Sequence, residues 1–100
     1  MNDWHVYILR CSDDTLYTGV TTDVERRFKE HQRQGPKCAK YLRGKTPLTL
    51  EYDRKAGSRS QALRTEHALK KRSRKEKEDL ISGTVEWTNF VKNGSNAHLG

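Results

Sequence analysis

Cysteine, proline and methionine are all scarce in this chain, with two, two and one among 100 residues. Cys11 and Cys38 form no CxxC pair, which argues against a thiolate zinc site or a disulfide framework and for a cytosolic protein with free thiols. There is no apolar N-terminal run and no stretch near the ~20 residues that a membrane span needs, so secretion and membrane insertion are set aside. Hydrophobes are sparse too: Leu, Ile, Val and Phe total 18, at the border of disordered compositions. They are nevertheless clustered and periodic, as in a folded domain. A chain of this length holds one modest core and has no room for a second catalytic domain.

Acidic residues are also in the minority, 13 against 20 Lys and Arg, for a net charge of +7. The excess lies mostly in Arg26 to Lys45 and Arg54 to Lys77, and it points to a polyanionic partner, nucleic acid first of all. On charge alone, a basic surface serving only solubility is the alternative.

Two short aromatic and β-branched runs, Trp4 to Arg10 and Thr15 to Val20, flank the turn formers Ser12-Asp13-Asp14 and predict a hairpin. Tyr7 and Tyr17 fall on its two strands. They share a face only if paired residue numbers sum to an even value, which a three-residue connection provides and a two- or four-residue one does not. Thr22-Asp23-Val24-Glu25 reads as a capping box opening a helix to about Gln34. Ser58-Arg59-Ser60-Gln61 opens a second helix to about Arg72, and Ser73-Arg74-Lys75-Glu76 a third ending near Gly83. A basic loop, Gly35 to Lys45, and a strand from about Leu48 to Asp53 lie between the first two helices. The order ββαβαα predicts an α+β fold: a small three-stranded antiparallel or mixed sheet flanked by helices. Residues 1–83 would form the domain and 84–100 a largely flexible extension, with Trp87 and Phe90 able to pack back onto the body.

Polar residues fall where apolar ones are expected. From Val24, the core stripe of the first helix names Arg27, Phe28 and His31. Periodicity leaves two readings open: a cleft lined by Arg27 and His31, or an arginine stem laid on the core beside a boundary imidazole. On the second helix Glu66 falls among Ala62, Leu63 and Leu69, where an ionised carboxylate needs a cation or a metal. A magnesium or manganese ion with several waters would suit it, and so would a salt bridge to Lys70 or Arg27. His67 leaves this face for solvent. Tyr41, Tyr52, Trp4 and Trp87 are assigned to packing.

At these positions the chain resembles the GIY-YIG nuclease superfamily. Val6-Tyr7 is similar to the end of its first signature, Tyr17-Thr18-Gly19 to its second, Arg27 to its helical arginine and Glu66 to its metal-binding glutamate. His31 matches a histidine found one turn after that arginine in some members. The likeness runs from about Trp4 to Ile81 and is greatest to the short stand-alone bacterial members of the YhbQ type; it extends to the nuclease domain of Slx-type endonucleases, without their zinc-binding domain. His5 departs from the glycine of the first signature, Val20 from a lysine of repair-excision relatives, and Glu78 from an asparagine of some restriction enzymes.

The resemblance implies a metal-dependent endonuclease hydrolysing phosphodiester bonds of DNA in repair or processing, with structure rather than sequence preference. Glu66 would hold one Mg²⁺ or Mn²⁺, and Arg27 would neutralise charge on the phosphate. Tyr7 and Tyr17 would position and deprotonate the water, Tyr17 being preferred as the base. A phenol of pKa about 10 is ionised only ~0.1% at pH 7, a deficit of about 4 kcal/mol, so it needs cationic neighbours such as Arg27, His31 and the metal. Arg26, Lys37, Lys40, Arg43, Lys45, Lys70, Lys71 and Arg74 are the expected nucleic-acid contacts. A monomer is the working expectation for assembly. The rival readings are a non-catalytic nucleic-acid-binding module with the same fold, and a protein-interaction domain docking through Trp87 and Phe90.

Overall fold

A computed structural model of the chain describes residues 3–87. Strands β1 (Trp4–Arg10) and β2 (Leu16–Thr21) form the expected hairpin. The Cys11 amide donates to the Thr15 carbonyl at 2.8 Å, leaving Ser12, Asp13 and Asp14 as a three-residue connection. Asp14 takes the left-handed conformation (φ 71°), which short polar side chains tolerate, while the Asp13 carboxylate accepts from the Thr15 amide (3.1 Å) and hydroxyl (2.6 Å). The register pairs Tyr7 with Gly19 and Leu9 with Tyr17, so paired numbers sum to an even value and both tyrosines share one face.

Strand β3 (Thr49–Gly57) pairs with the other side of β1, giving a three-stranded sheet of order β2-β1-β3 that is antiparallel throughout. It starts a residue later and ends four residues later than the sequence predicts. Two register shifts leave Glu51 and Ala56 as extra residues on this strand. Much of its length is exposed at the sheet edge, so Asp53, Arg54 and Lys55 can occupy it and no apolar alternation marks where it ends. β1 is central, and both of its faces are buried: Tyr7 and Leu9 on one, Val6 and Ile8 on the other.

The Tyr7 face carries a cluster of Tyr7, Leu9, Cys11, Cys38, Leu42 and Leu48, with Tyr17, Val24, Phe28 and Ala39 packed against it. Helix α1 (Val24–Arg33) supplies Val24 and Phe28. Its N-cap is Asp23 rather than Thr22: the Asp23 carboxylate accepts from the Arg26 amide at 3.1 Å, so the predicted Thr22–Glu25 capping box does not form. Asp satisfies the same orphan amides one residue later, and Thr21 in turn accepts from the Asp23 amide. At its other end Gln34 is left-handed (φ 61°) and ties down the basic loop, donating to the His31 and Leu42 carbonyls and accepting from the Gly44 amide. A 3-10 turn over Lys40–Leu42 buries Leu42 within that loop.

Helix α2 (Arg59–Lys70) is shorter than predicted; its Ser58–Gln61 capping box is present. Helix α3 (Arg74–Ser82) has the Ser73–Glu76 capping box and ends at the left-handed Gly83. The chain forms two compact units, one ending at His67 and the other beginning at Ala68. The constellation described next lies in the first. Trp87 is half-buried, whereas Phe90 and the predicted tail from Lys92 lie outside the described residues.

Candidate active site

Register alone sets Tyr7 and Tyr17 side by side, with ring centroids 6.3 Å apart. Tyr7 is 2% exposed and Tyr17 half-buried. Between them the chain carries Gly19, and the reason is spatial. A Cβ on Gly19 would stand 2.5 Å from the Tyr7 hydroxyl and 3.1 Å from the Tyr17 ring, so only a residue with no side chain lets the Tyr7 phenol lie there.

His31 closes the other side of Tyr7. It is fully buried, its ring centroid is 6.1 Å from that of Tyr7 and 5.7 Å from that of Tyr17, and its Nε2 lies 2.9 Å from the Tyr7 oxygen. The Ala39 amide donates to His31 Nδ1 at 3.3 Å. A nitrogen that accepts carries no proton, so the geometry assigns the neutral ring with its hydrogen on Nε2, donating to Tyr7. Burial first, and the Arg27 charge second, push the imidazole pKa down to about 4. This corrects the expectation that His31 helps the phenols as a cation. It helps as a neutral donor, and leaves the Tyr7 proton free to point elsewhere.

Arg27 is held in place by its own helix and the loop. Its Nη1 donates to the Lys37 carbonyl at 2.7 Å and to Glu30 at 3.0 Å. Burial works against its charge, but bonding to Glu30 and to Tyr7 more than restores it, and its pKa lies above the ordinary value. Both tyrosine pKa values are raised. For Tyr7 the causes are burial and then the neighbouring Tyr17, and for Tyr17 burial leads; Arg27 lowers both and Glu66 raises both. The influence of Glu66 on both phenols puts its carboxylate within electrostatic reach of the pair. The interaction with the Tyr7 hydroxyl also favours the Tyr17 phenolate. Tyr7, Tyr17, Arg27 and His31, drawn from β1, β2 and α1, are thus brought into one neighbourhood, and the charge of Glu66 on α2 bears on both phenols.

Two participants escaped the sequence reading. Glu30, which orients Arg27, is signalled only by the i, i+3 spacing that brings residues together on a helix. Tyr41, assigned to packing, is 48% exposed and stacks on Tyr17, with ring centroids 5.9 Å apart and planes at 23°. No local pattern in the loop indicates that contact.

The predicted nucleic-acid residues divide. Arg26 and Lys40 are exposed, and Lys37 is exposed with its ammonium 3.8 Å from Glu30. Arg43 is exposed yet spans loop carbonyls of Gln34 and Gly35. Lys45 sits 3.7 Å over the Tyr41 ring and 3.6 Å from Asp13, so it braces the loop. In the second unit Lys70 and Lys71 are exposed and Arg74 pairs with Glu78 at 2.9 Å. Leu63, expected on the buried stripe of α2, is 38% exposed.

The donor set can be tested against a metal. Among the described residues no three His, Cys, Asp or Glu side chains gather into a cage. One half-buried carboxylate, Glu66, whose charge bears on two phenols, offers with them hard oxygen donors only. That suits a hard divalent ion retaining most of its waters and does not suit zinc or copper.

Paired phenols on a hairpin, an arginine and a histidine one turn apart on the following helix, and a carboxylate on the next define a GIY-YIG catalytic domain. The GIY-YIG catalytic-domain model matches residues 3–79, and the chain belongs to that family, a family of nucleases. It is 53% identical over 85 residues to the UPF0213 protein of Cronobacter sakazakii, covering 85% of this chain and 87% of that one. With the UPF0213 protein YhbQ of Escherichia coli it shares 48% identity over 82 residues, 82% of this chain and 80% of that one. The solution structure of a UPF0213 protein from Bacillus halodurans, 42% identical, superposes with a TM-score of 0.52 and covers 91% of this chain and 94% of that one.

Proposed function

We propose that this protein is a metal-dependent endonuclease that hydrolyses phosphodiester bonds of DNA, preferring structure to sequence and acting in repair or processing. The observation that carries this reading is the convergence of Tyr7, Tyr17, His31 and Arg27, with the Glu66 charge bearing on both phenols. A module that merely binds nucleic acid has no use for a carboxylate beside its anion site.

Arg27, held by Glu30 and the Lys37 carbonyl, offers the fork that neutralises charge on the phosphoryl oxygens in the transition state. The Ala39 amide donates to His31 and His31 donates to Tyr7, whose own proton is then free to stabilise Tyr17. The chain of donors ends at Tyr17, the more exposed phenol, which favours it as acceptor of the proton from the attacking water. Glu66 would hold the divalent ion. Held there, it would supply positive charge to the phosphoryl transition state and would offset the rise that Glu66 imposes on the phenols.

The test is cleavage of branched, nicked, duplex and single-stranded DNA, and of RNA, with Mg²⁺, with Mn²⁺ and with chelator. Wild type should cut at least one DNA form only with metal, and Arg27→Ala and Glu66→Ala should each lose that cleavage while keeping the fold. Cleavage by both pure variants at the wild-type rate would overturn the assignment.

A further inference from the structure

One face of α2 carries a shallow, open groove of about 660 Å³ lined by Arg59, Ser60, Leu63, Arg64 and His67. Arg59, Leu63 and His67 follow one another at i, i+4 spacing along one row, and Ser60 and Arg64 along the next. No carboxylate lines it. Elsewhere in the same unit Arg10 bridges to Asp14 and Glu51, Lys29 to Glu25, Lys45 to Asp13 and Lys55 to Asp3, whereas Arg26, Arg33, Lys40 and Arg43 make no ion pair among the described residues. Arg59 and Arg64 have no acidic partner among the described residues; Arg59 instead lies 5.8 Å from the Trp4 ring. Leu63, where the helical pattern asks for a core residue, stands exposed between them.

We propose that this groove is a second nucleic-acid contact, carrying the phosphodiester backbone of the strand that flanks the cleaved phosphate, with Arg59 and Arg64 on phosphates and Leu63 against sugar. The proposal rests on the nuclease reading above. Its argument is charge complementarity together with position. Two arginines and a histidine flank an exposed leucine with no carboxylate in the lining, and Glu66, the residue immediately before His67, is the one whose charge bears on the phenols. Arg59 to His67 is nine residues, about 12 Å along the helix, or about three steps of a B-form strand, enough for more than one phosphate.

The experiment measures binding of a fluorescent DNA duplex and a branched DNA by the full chain in chelator, by anisotropy, over a range of salt. Each neutralised phosphate contact lowers the slope of log affinity against log salt by ~0.9. Arg59→Gln/Arg64→Gln should therefore reduce the slope by about 2 and weaken binding at least tenfold. Lys29→Gln/Lys55→Gln, which removes the same charge from paired sites, should reduce the slope by less than half as much. Circular dichroism checks that α2 persists in each variant. Equal slopes for the two double variants would overturn the groove while leaving the nuclease reading intact. Failure of wild type to bind any DNA would overturn both. Competition by polyglutamate as strong as by DNA of equal charge would assign the groove to acidic protein partners and refute the proposal.

Discussion

Acid should strike this fold through one buried ring. His31 is fully buried and its pKa is held down to about 4, whereas in an unfolded chain it takes up its proton near 6.5. Above pH 6.5 the ring is neutral in both states. As pH falls from 6.5 towards 4, the unfolded state binds a proton that the folded state refuses, so stability is lost across that window and the loss is complete below it. A gap of about 2.5 pH units at ~1.36 kcal/mol each amounts to about 3 kcal/mol, a large part of what a domain this size has in reserve. The assay is urea unfolding of wild type and His31→Gln between pH 7.5 and 4.5. Glutamine keeps a donor for Tyr7 and has no proton to gain. Asp13 and Glu76, whose carboxyl pKa values are held low by bonds to Thr15 and Ser73, also weaken the fold in acid, but equally in both proteins. Wild type should lose about 2 to 3 kcal/mol more than the variant over this range. Parallel losses would refute the buried neutral imidazole and, with it, the donor chain to Tyr7.

Three further outcomes follow from the geometry. Gly19→Ala should displace the Tyr7 hydroxyl from His31, costing about 1 to 3 kcal/mol in urea unfolding and abolishing cleavage, because its Cβ would meet that oxygen at 2.5 Å. Asp23→Ala should cost about 1 kcal/mol by thermal or urea unfolding and Thr22→Ala almost nothing, since Asp23 is the cap of α1. Glu30→Gln should reduce single-turnover cleavage about tenfold with little change in DNA affinity, because the arginine fork loses its charged partner while its carbonyl anchor remains.

Much of the site was legible in the sequence because it depends on short-range geometry. Strand alternation and a three-residue turn put Tyr7 and Tyr17 on one face, and helical spacing put Arg27 and His31 together. What was missed depends on contacts between segments. The protonation of His31 is decided by the Ala39 amide, which comes from a loop folding back eight residues later. Tyr41 reaches Tyr17 because Gln34 ties that loop down at both Leu42 and Gly44. The full extent of β3 was hidden because an exposed edge strand imposes no hydrophobic alternation. Leu63 stands exposed on the stripe where spacing predicts a core residue, because spacing identifies a face of a helix without revealing whether anything covers it.

The most direct test removes one oxygen atom. Tyr17→Phe keeps the ring that stacks on Tyr41 and lies edge-on to His31, and deletes only the hydroxyl at the end of the donor chain. Under single-turnover conditions with metal, on the DNA form that wild type cuts best, the account predicts a rate lower by at least ~100-fold with unchanged DNA affinity. Cleavage by Tyr17→Phe at the wild-type rate would contradict it.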